Sequence, residues 1–137
     1  MVLTFSFSHP ARKVIGYFSN IELLVKSHPV IKKAFPIEEN KYVIHETLHF
    51  FWFTYSFQYV ATIQLYKDTN EVRIDANIKN LTIVTMKFLL EENNQTTLVT
   101  ETIDIKSSLP FSIALIKKVF KDQHGQWFTN IEKILEE

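Results

Sequence analysis

Cysteine is missing from all 137 residues, which excludes disulfide staples, thiolate nucleophiles and cysteine metal sites. That absence suits a cytoplasmic setting, which is the expected localisation. Glycine is almost missing too, with Gly16 and Gly125 the only two. A glycine-rich phosphate loop is therefore excluded, and turns that need positive φ fall to asparagine, the next most tolerant residue. Asn40, Asn70, Asn80, Asn93 and Asn94 all stand in polar gaps between patterned segments. Excess charge is absent as well. Fifteen Lys and Arg balance fifteen Asp and Glu, so no overall field draws the chain to nucleic acid or to an anionic membrane. The pairs Lys32-Lys33 and Lys117-Lys118 are too short to form a nucleic-acid surface.

Long apolar runs are lacking. The longest, from Phe50 to Tyr59, is interrupted by Thr54, Ser56 and Gln58, far short of a membrane span. The opening MVLTFSFS has no basic region and alternates polar with apolar residues, so neither a signal peptide nor an anchor is expected. Without a secretion signal, the acceptor patterns Asn80-Leu-Thr82 and Asn94-Gln-Thr96 read as chance. No G-x-S-x-G motif marks a covalent nucleophile. A chain of 137 residues fits one domain, 1–137, able to bury a core without metal or disulfide.

Aromatic rings are abundant: twelve Phe, five Tyr and two Trp. Many of them fall into period-two patterns. Val2–Ser8 alternates and predicts a half-buried first strand. Pro10 suits a first helical position, followed by Val14, Ile15 and Phe18 at helical spacing. Ser19 or Asn20 can cap a second short helix through Leu23 and Leu24, which Pro29 ends at His28. A short strand around Lys33–Ile37 comes next, then strands over Lys41–Phe51 and Phe53–Tyr66. In the last of these, Phe53, Tyr55, Phe57, Tyr59, Ala61, Ile63 and Leu65 share one face. Strands over Glu71–Ile78, Leu81–Glu91 and Thr96–Lys106 complete an antiparallel meander. From Leu109 the period lengthens: Leu109, Ile113, Ile116, Phe120, Trp127, Ile131 and Ile134 predict a long amphipathic helix starting at Pro110. Gly125 inside it costs about 1 kcal/mol against alanine, and marks a bend or a close contact.

His45-Glu46-Thr47-Leu48-His49 spells H-E-x-x-H, the mark of zinc peptidases. The motif needs a helix, which brings i and i+4 onto one face to share a zinc while the Glu activates water. Its flanks, KYVI and FFWFTYSF, favour strand. On a strand the two histidines stand about 13 Å apart and Glu46 points to the opposite face. No metal and no cofactor are expected, and His45 and His49 read as ordinary sheet residues. Glu46, Glu101 and Asp104 also fall within strands. They are acid or base candidates if they enter a cavity, although such residues more often sit on a solvated face.

The order of strand, two short helices, six strands and long final helix resembles the helix-grip fold of the START-like (SRPBCC, polyketide cyclase and Bet v 1-like) superfamily. SHPARKVIGYFSNIELLVKSHPVI is similar to that group's opening, FPIEENKYVIHETL to its second and third strands, and LPFSIALIKKVFKDQHGQWFTNIEKILEE to its gripping helix. One departure is Asn40, where the group commonly has glycine. The resemblance implies an α+β fold, with a curved seven-stranded antiparallel sheet wrapped around a long C-terminal helix and two short helices after strand 1. It also implies a hydrophobic small molecule or lipid held between sheet and helix.

Geometry supports the same expectation. Seven strands make a sheet about 30 Å wide, whereas one helix covers about 10–12 Å of it. The uncovered part of the concave face is either filled by large side chains or left as a pocket. Phe53, Tyr55, Phe57, Tyr59, Ile74, Val84, Met86, Phe88 and Phe120 are the candidate lining, with tyrosine hydroxyls as orienting groups and enough aromatic bulk to keep the pocket narrow. The expected role is binding or transport of a hydrophobic ligand. The alternatives are a cyclase- or hydrolase-type enzyme on the same fold, and, ranked below it, a zinc metallopeptidase through His45-Glu46-x-x-His49.

Overall fold

The computed structural model describes residues 1–50, 53–108 and 113–137, and only the backbone of Phe50, Phe53 and Ile113. Strand β1 (Val2–Phe7) leads into two four-residue turns of helix, α1 (Ala11–Val14) and α2 (Gly16–Ser19). They are joined through Ile15, whose own φ of −59° and ψ of −31° are helical, so together they form the first of the two short helices. Asn20 separates them from α3 (Ile21–Ser27) and caps it, its Oδ1 accepting from the backbone N–H of Glu22 and Leu23 at 3.0 and 3.2 Å. Such a cap satisfies donors that a helix cannot satisfy internally, and is worth about 1 kcal/mol. His28, ahead of Pro29, is extended at φ −73° and ψ 135°, as the proline ring demands of its predecessor.

Six strands follow: β2 (Ile31–Glu38), β3 (Lys41–Phe50), β4 (Phe53–Tyr66), β5 (Glu71–Ile78), β6 (Thr82–Asn93) and β7 (Thr96–Ser107). With β1 they form one antiparallel sheet in the order β1-β7-β6-β5-β4-β3-β2. Pro36 lies within edge strand β2, beside a register shift at Pro36/Glu38; an edge tolerates a residue that cannot donate to the ladder. The turns are made as the glycine shortage requires. Asn40, Asn70, Asn80 and Asn94 adopt positive φ, and they are joined by Lys79 and Gln95. Asn93 instead ends β6.

Helix α4 (Ile113–Glu136) lies against the concave face. The expected start at Leu109 and Pro110 lies outside the described residues. Its C-terminal half, with β1, β6 and the short helices, builds a filled core. There Phe18 stacks on Phe88 at 4.6 Å and meets the Trp127 ring edge-on at 5.1 Å, while Phe7 and Phe128 close the cluster. Burying each such ring contributes about 1.5–3 kcal/mol. Two polar bonds hold α4 on α3: Trp127 Nε1 donates to Ser27 Oγ and Asn130 Nδ2 donates to the Ser27 carbonyl, both at 2.9 Å. Gly125 marks no close contact, since a Cβ there would meet nothing within 4 Å. Among the described residues, no helix is long and apolar enough to cross a membrane.

Candidate ligand cavity

The N-terminal half of α4 stands over a part of the sheet that no short helix covers. Ile116, Val119, Phe120, Gln123, His124 and Trp127 recur at helical spacing along its inner face, and all border a cavity of about 740 Å³. The floor is β3 to β6. Ala61 and Ala76 face each other across the β4–β5 ladder at its centre, and their small side chains leave the space that larger ones would fill. Strand β4 pairs with β5 only from Val60 onward, whereas it pairs with β3 from Phe53 to Thr62. The Phe50–Phe53 end of the β3–β4 pair therefore projects past β5. Tyr55 near that end, Leu81 after the β5–β6 turn and Leu115 at the start of α4 are 49%, 45% and 58% exposed, and together they mark the mouth. The closed end lies against Leu24, His28, Ile31 and Trp127.

Seven of the nine lining candidates border this cavity: Tyr55, Phe57, Tyr59, Ile74, Val84, Met86 and Phe120. The side chain of Phe53 lies outside the described residues. Phe88 is placed differently from expectation. It shares the concave face but is 0% exposed and wedged in the filled core between Phe18 and Trp127. The cavity is also wider than the aromatic bulk suggested. Phe7, Phe18, Phe88, Trp127 and Phe128 are spent on the filled end, so the open end keeps a volume in the upper half of the range of ligand sites, about 300–1,000 Å³.

Strand geometry separates the H-E-x-x-H residues. Thr47 meets Ser56 and His49 Nδ1 meets Thr54 on the outer face, where His45 also packs its ring against Phe35 at 5.5 Å. Glu46 points the other way, into the cavity. No helical face brings the two imidazoles together. Asp104 is exposed on the outer side of β7, as a solvated residue would be. Glu101 is not, and neither is Glu46.

These two carboxyls anchor the polar end of an otherwise apolar space. Tyr59 donates its hydroxyl hydrogen to Glu46 Oε1 at 2.5 Å across the β3–β4 pair. Burial raises the Glu46 pKa above its usual 4.5, partly offset by the Tyr59 hydrogen bond and the nearby His124. Burial, together with the Glu46 charge and hydrogen bond, lifts the Tyr59 phenol well above 10.0. Opposite them, Glu101 on β7 and His124 on α4 are 0% and 2% exposed. The His124 Nδ1 lies 2.7 Å from both carboxylate oxygens; its hydrogen bond is directed at Oε1, and Oε2 has no other partner among the described residues. That bond leaves the Nε2 edge of the ring for the cavity. His28 completes the group. Its Nδ1 accepts from the backbone N–H of Val30 and Ile31, both at 3.3 Å, so the neutral ring carries its hydrogen on Nε2. Burial, then His124 and Lys32, hold its pKa well below 6.5.

His28 and His124 were not sequence candidates. His124 had a visible signal, because it falls on the apolar stripe between Phe120 and Trp127, where an imidazole must be buried. His28 had none, since its role depends on where α4 lands.

Among solved structures, a START superfamily protein from Mycobacterium smegmatis is similar over 99% of this chain and 96% of its own, at 13% identity and a TM-score of 0.77. Ara h 8.0201 matches over 100% of both chains at 16% identity and a TM-score of 0.68. The di-domain ARO/CYC BexL from the BE-7585A biosynthetic pathway matches 99% of this chain at 10% identity and a TM-score of 0.79, with the chain spanning 46% of its length. No protein-family model matches the sequence, and neither does any curated protein. At these identities the likeness shows the fold, and the fold is START-like.

Proposed function

We propose that residues 1–137 act as one cytoplasmic binding module, which holds a hydrophobic small molecule or lipid between the concave sheet face and α4. The observation that carries this reading is the cavity of about 740 Å³, apolar along its walls and open at one end. An apolar space of that size gains free energy when a ligand replaces water in it, at about 25 cal/mol per Å² of apolar surface covered. Tyr55, Phe57, Tyr59, Ile74, Val84, Met86 and Phe120 are the proposed contact surface. The likeness to a START superfamily protein supports the same reading. Native mass spectrometry of gently purified protein should show a co-purifying apolar mass, and a ligand at a hundred times its Kd should raise stability by about 2.7 kcal/mol. A protein that is always empty, and that no lipid or polyketide in a broad library stabilises, would sink the reading.

A second reading, a cyclase- or hydrolase-type enzyme in the same cavity, draws on one observation: Glu46-Tyr59 and Glu101-His124 bring proton donors and acceptors to the closed end of an apolar space. The likeness to an ARO/CYC protein points the same way. Glu46→Gln and Glu101→Gln proteins that turn over an identified substrate at the parent rate would remove it.

A further inference from the structure

The polar groups of the cavity are gathered at its closed end, and their charges are unevenly balanced. Glu46, His28 and His124 border it, and Glu101, itself sealed from the cavity, pairs with His124 from behind. His124 is already paired through Nδ1 with Glu101. His28 is held neutral by geometry: both backbone N–H groups of Val30 and Ile31 point at its Nδ1, and a proton there would break both bonds. The cations near the cavity are placed elsewhere. Lys32 is exposed, its ammonium turned to the Pro29 carbonyl outside, and Lys79 sits in the β5–β6 turn at the mouth. Among the described residues, no Lys or Arg borders the closed end. A carboxylate or phosphate driven there would lose its water, find no unpaired cation and lie against Glu46. A hydroxyl meets the opposite circumstances. It can donate to the Glu46 carboxyl and accept from the Gln123 amide or the His28 Nε2–H, so each polar partner is satisfied.

Resting on the binding role proposed above, we infer that the cavity selects an apolar molecule whose leading end carries one uncharged hydroxyl, and refuses the same skeleton ended by a carboxylate or phosphate. Glu46 is the residue that sets this choice. Tyr59 positions it, since the phenol holds Oε1 and leaves Oε2 for the ligand.

The test is displacement of Nile red, a neutral apolar dye, by decane, 1-decanol and decanoate at mildly alkaline pH, where the acid is ionised. Decanol should compete better than decane, although decane leaves water more readily, and better than decanoate by about tenfold or more. A gap between alcohol and carboxylate arises in any apolar pocket, so the deciding arm is Glu46→Gln, which keeps an acceptor for Tyr59 but removes the charge. That variant should narrow the gap severalfold by improving decanoate, with its melting temperature close to the parent's. If it does not fold, Tyr59→Phe takes its place and should also narrow the gap, because Glu46 without the phenol's hydrogen bond is held less firmly in its charged form. Decanoate equal to decanol, decane equal to decanol, or a gap that neither variant moves would overturn the inference while leaving the binding role standing. A protein that takes up neither the dye nor any of the three would overturn both.

Discussion

Replacing Glu101 by leucine, a side chain of similar reach without the carboxylate, removes one half of the 0%- and 2%-exposed Glu101-His124 pair. The loss is not that of an average salt bridge, because His124 stays buried on α4 between Phe120, Trp127 and Phe128 with its Nδ1 unpaired. Breaking a buried pair from one side costs about 3–5 kcal/mol when the survivor stays charged. An imidazole can instead be neutral, which leaves the penalty of an unsatisfied donor, about 1–3 kcal/mol. The adjoining cavity offers that donor some solvent. The expected cost is therefore about 2 kcal/mol, a fall of about 6 °C in melting temperature for a domain of this size. The double replacement Glu101→Leu with His124→Leu removes both polar groups, and should recover at least half of that loss. Urea unfolding followed by tryptophan fluorescence, with an unchanged m-value, reads both numbers. A single variant costing less than about 1 kcal/mol, or a double variant worse than the two singles added together, would refute the claim that this pair is buried and mutually dependent.

Three further outcomes follow from the same structure. Gly125→Ala should stabilise by about 0.5–1 kcal/mol in thermal unfolding, because the helix gains propensity and the new methyl meets nothing within 4 Å. His28 is depressed below 6.5 in the fold, so between its two values the unfolded chain binds more protons. Its contribution is complete above pH 6.5 and is lost as pH falls toward the folded value. His28→Asn, whose Oδ1 can accept the same two backbone N–H groups, should flatten that acid-side loss in urea titrations; an unchanged slope would place its origin elsewhere. Ala76→Leu should extend into the cavity from its floor and abolish dye uptake while leaving the melting temperature equal or higher, since it fills space instead of displacing a neighbour.

The sequence alone determined the elements, because those depend on local physics. Period-two alternation in 53–65 places β4, and asparagine in place of glycine marks four positive-φ turns. Asn20 and Pro29 bound α3, and the 3.6-residue stripe from Ile113 to Ile134 marks α4. It also told which face of each strand is apolar, and so which rings share the concavity. Strand periodicity was enough to separate His45 from His49, since an extended chain carries them apart whatever surrounds it.

Tertiary structure alone decided which part of that concavity is full and which is empty. Phe57 and Phe88 carry the same side chain on the same face, yet Phe88 lies beneath the short helices and is sealed by Phe18, while Phe57 projects beyond the end of β5 and lines open space. The polar end is likewise a product of assembly. Glu101 and His124 are 23 residues apart, and nothing local distinguishes Glu101 from the solvated Asp104 except the face on which β7 presents it. Pairing across an interior costs too much to be made by chance, but its partners are chosen by where a helix lands on a sheet, and that depends on every contact of the fold at once.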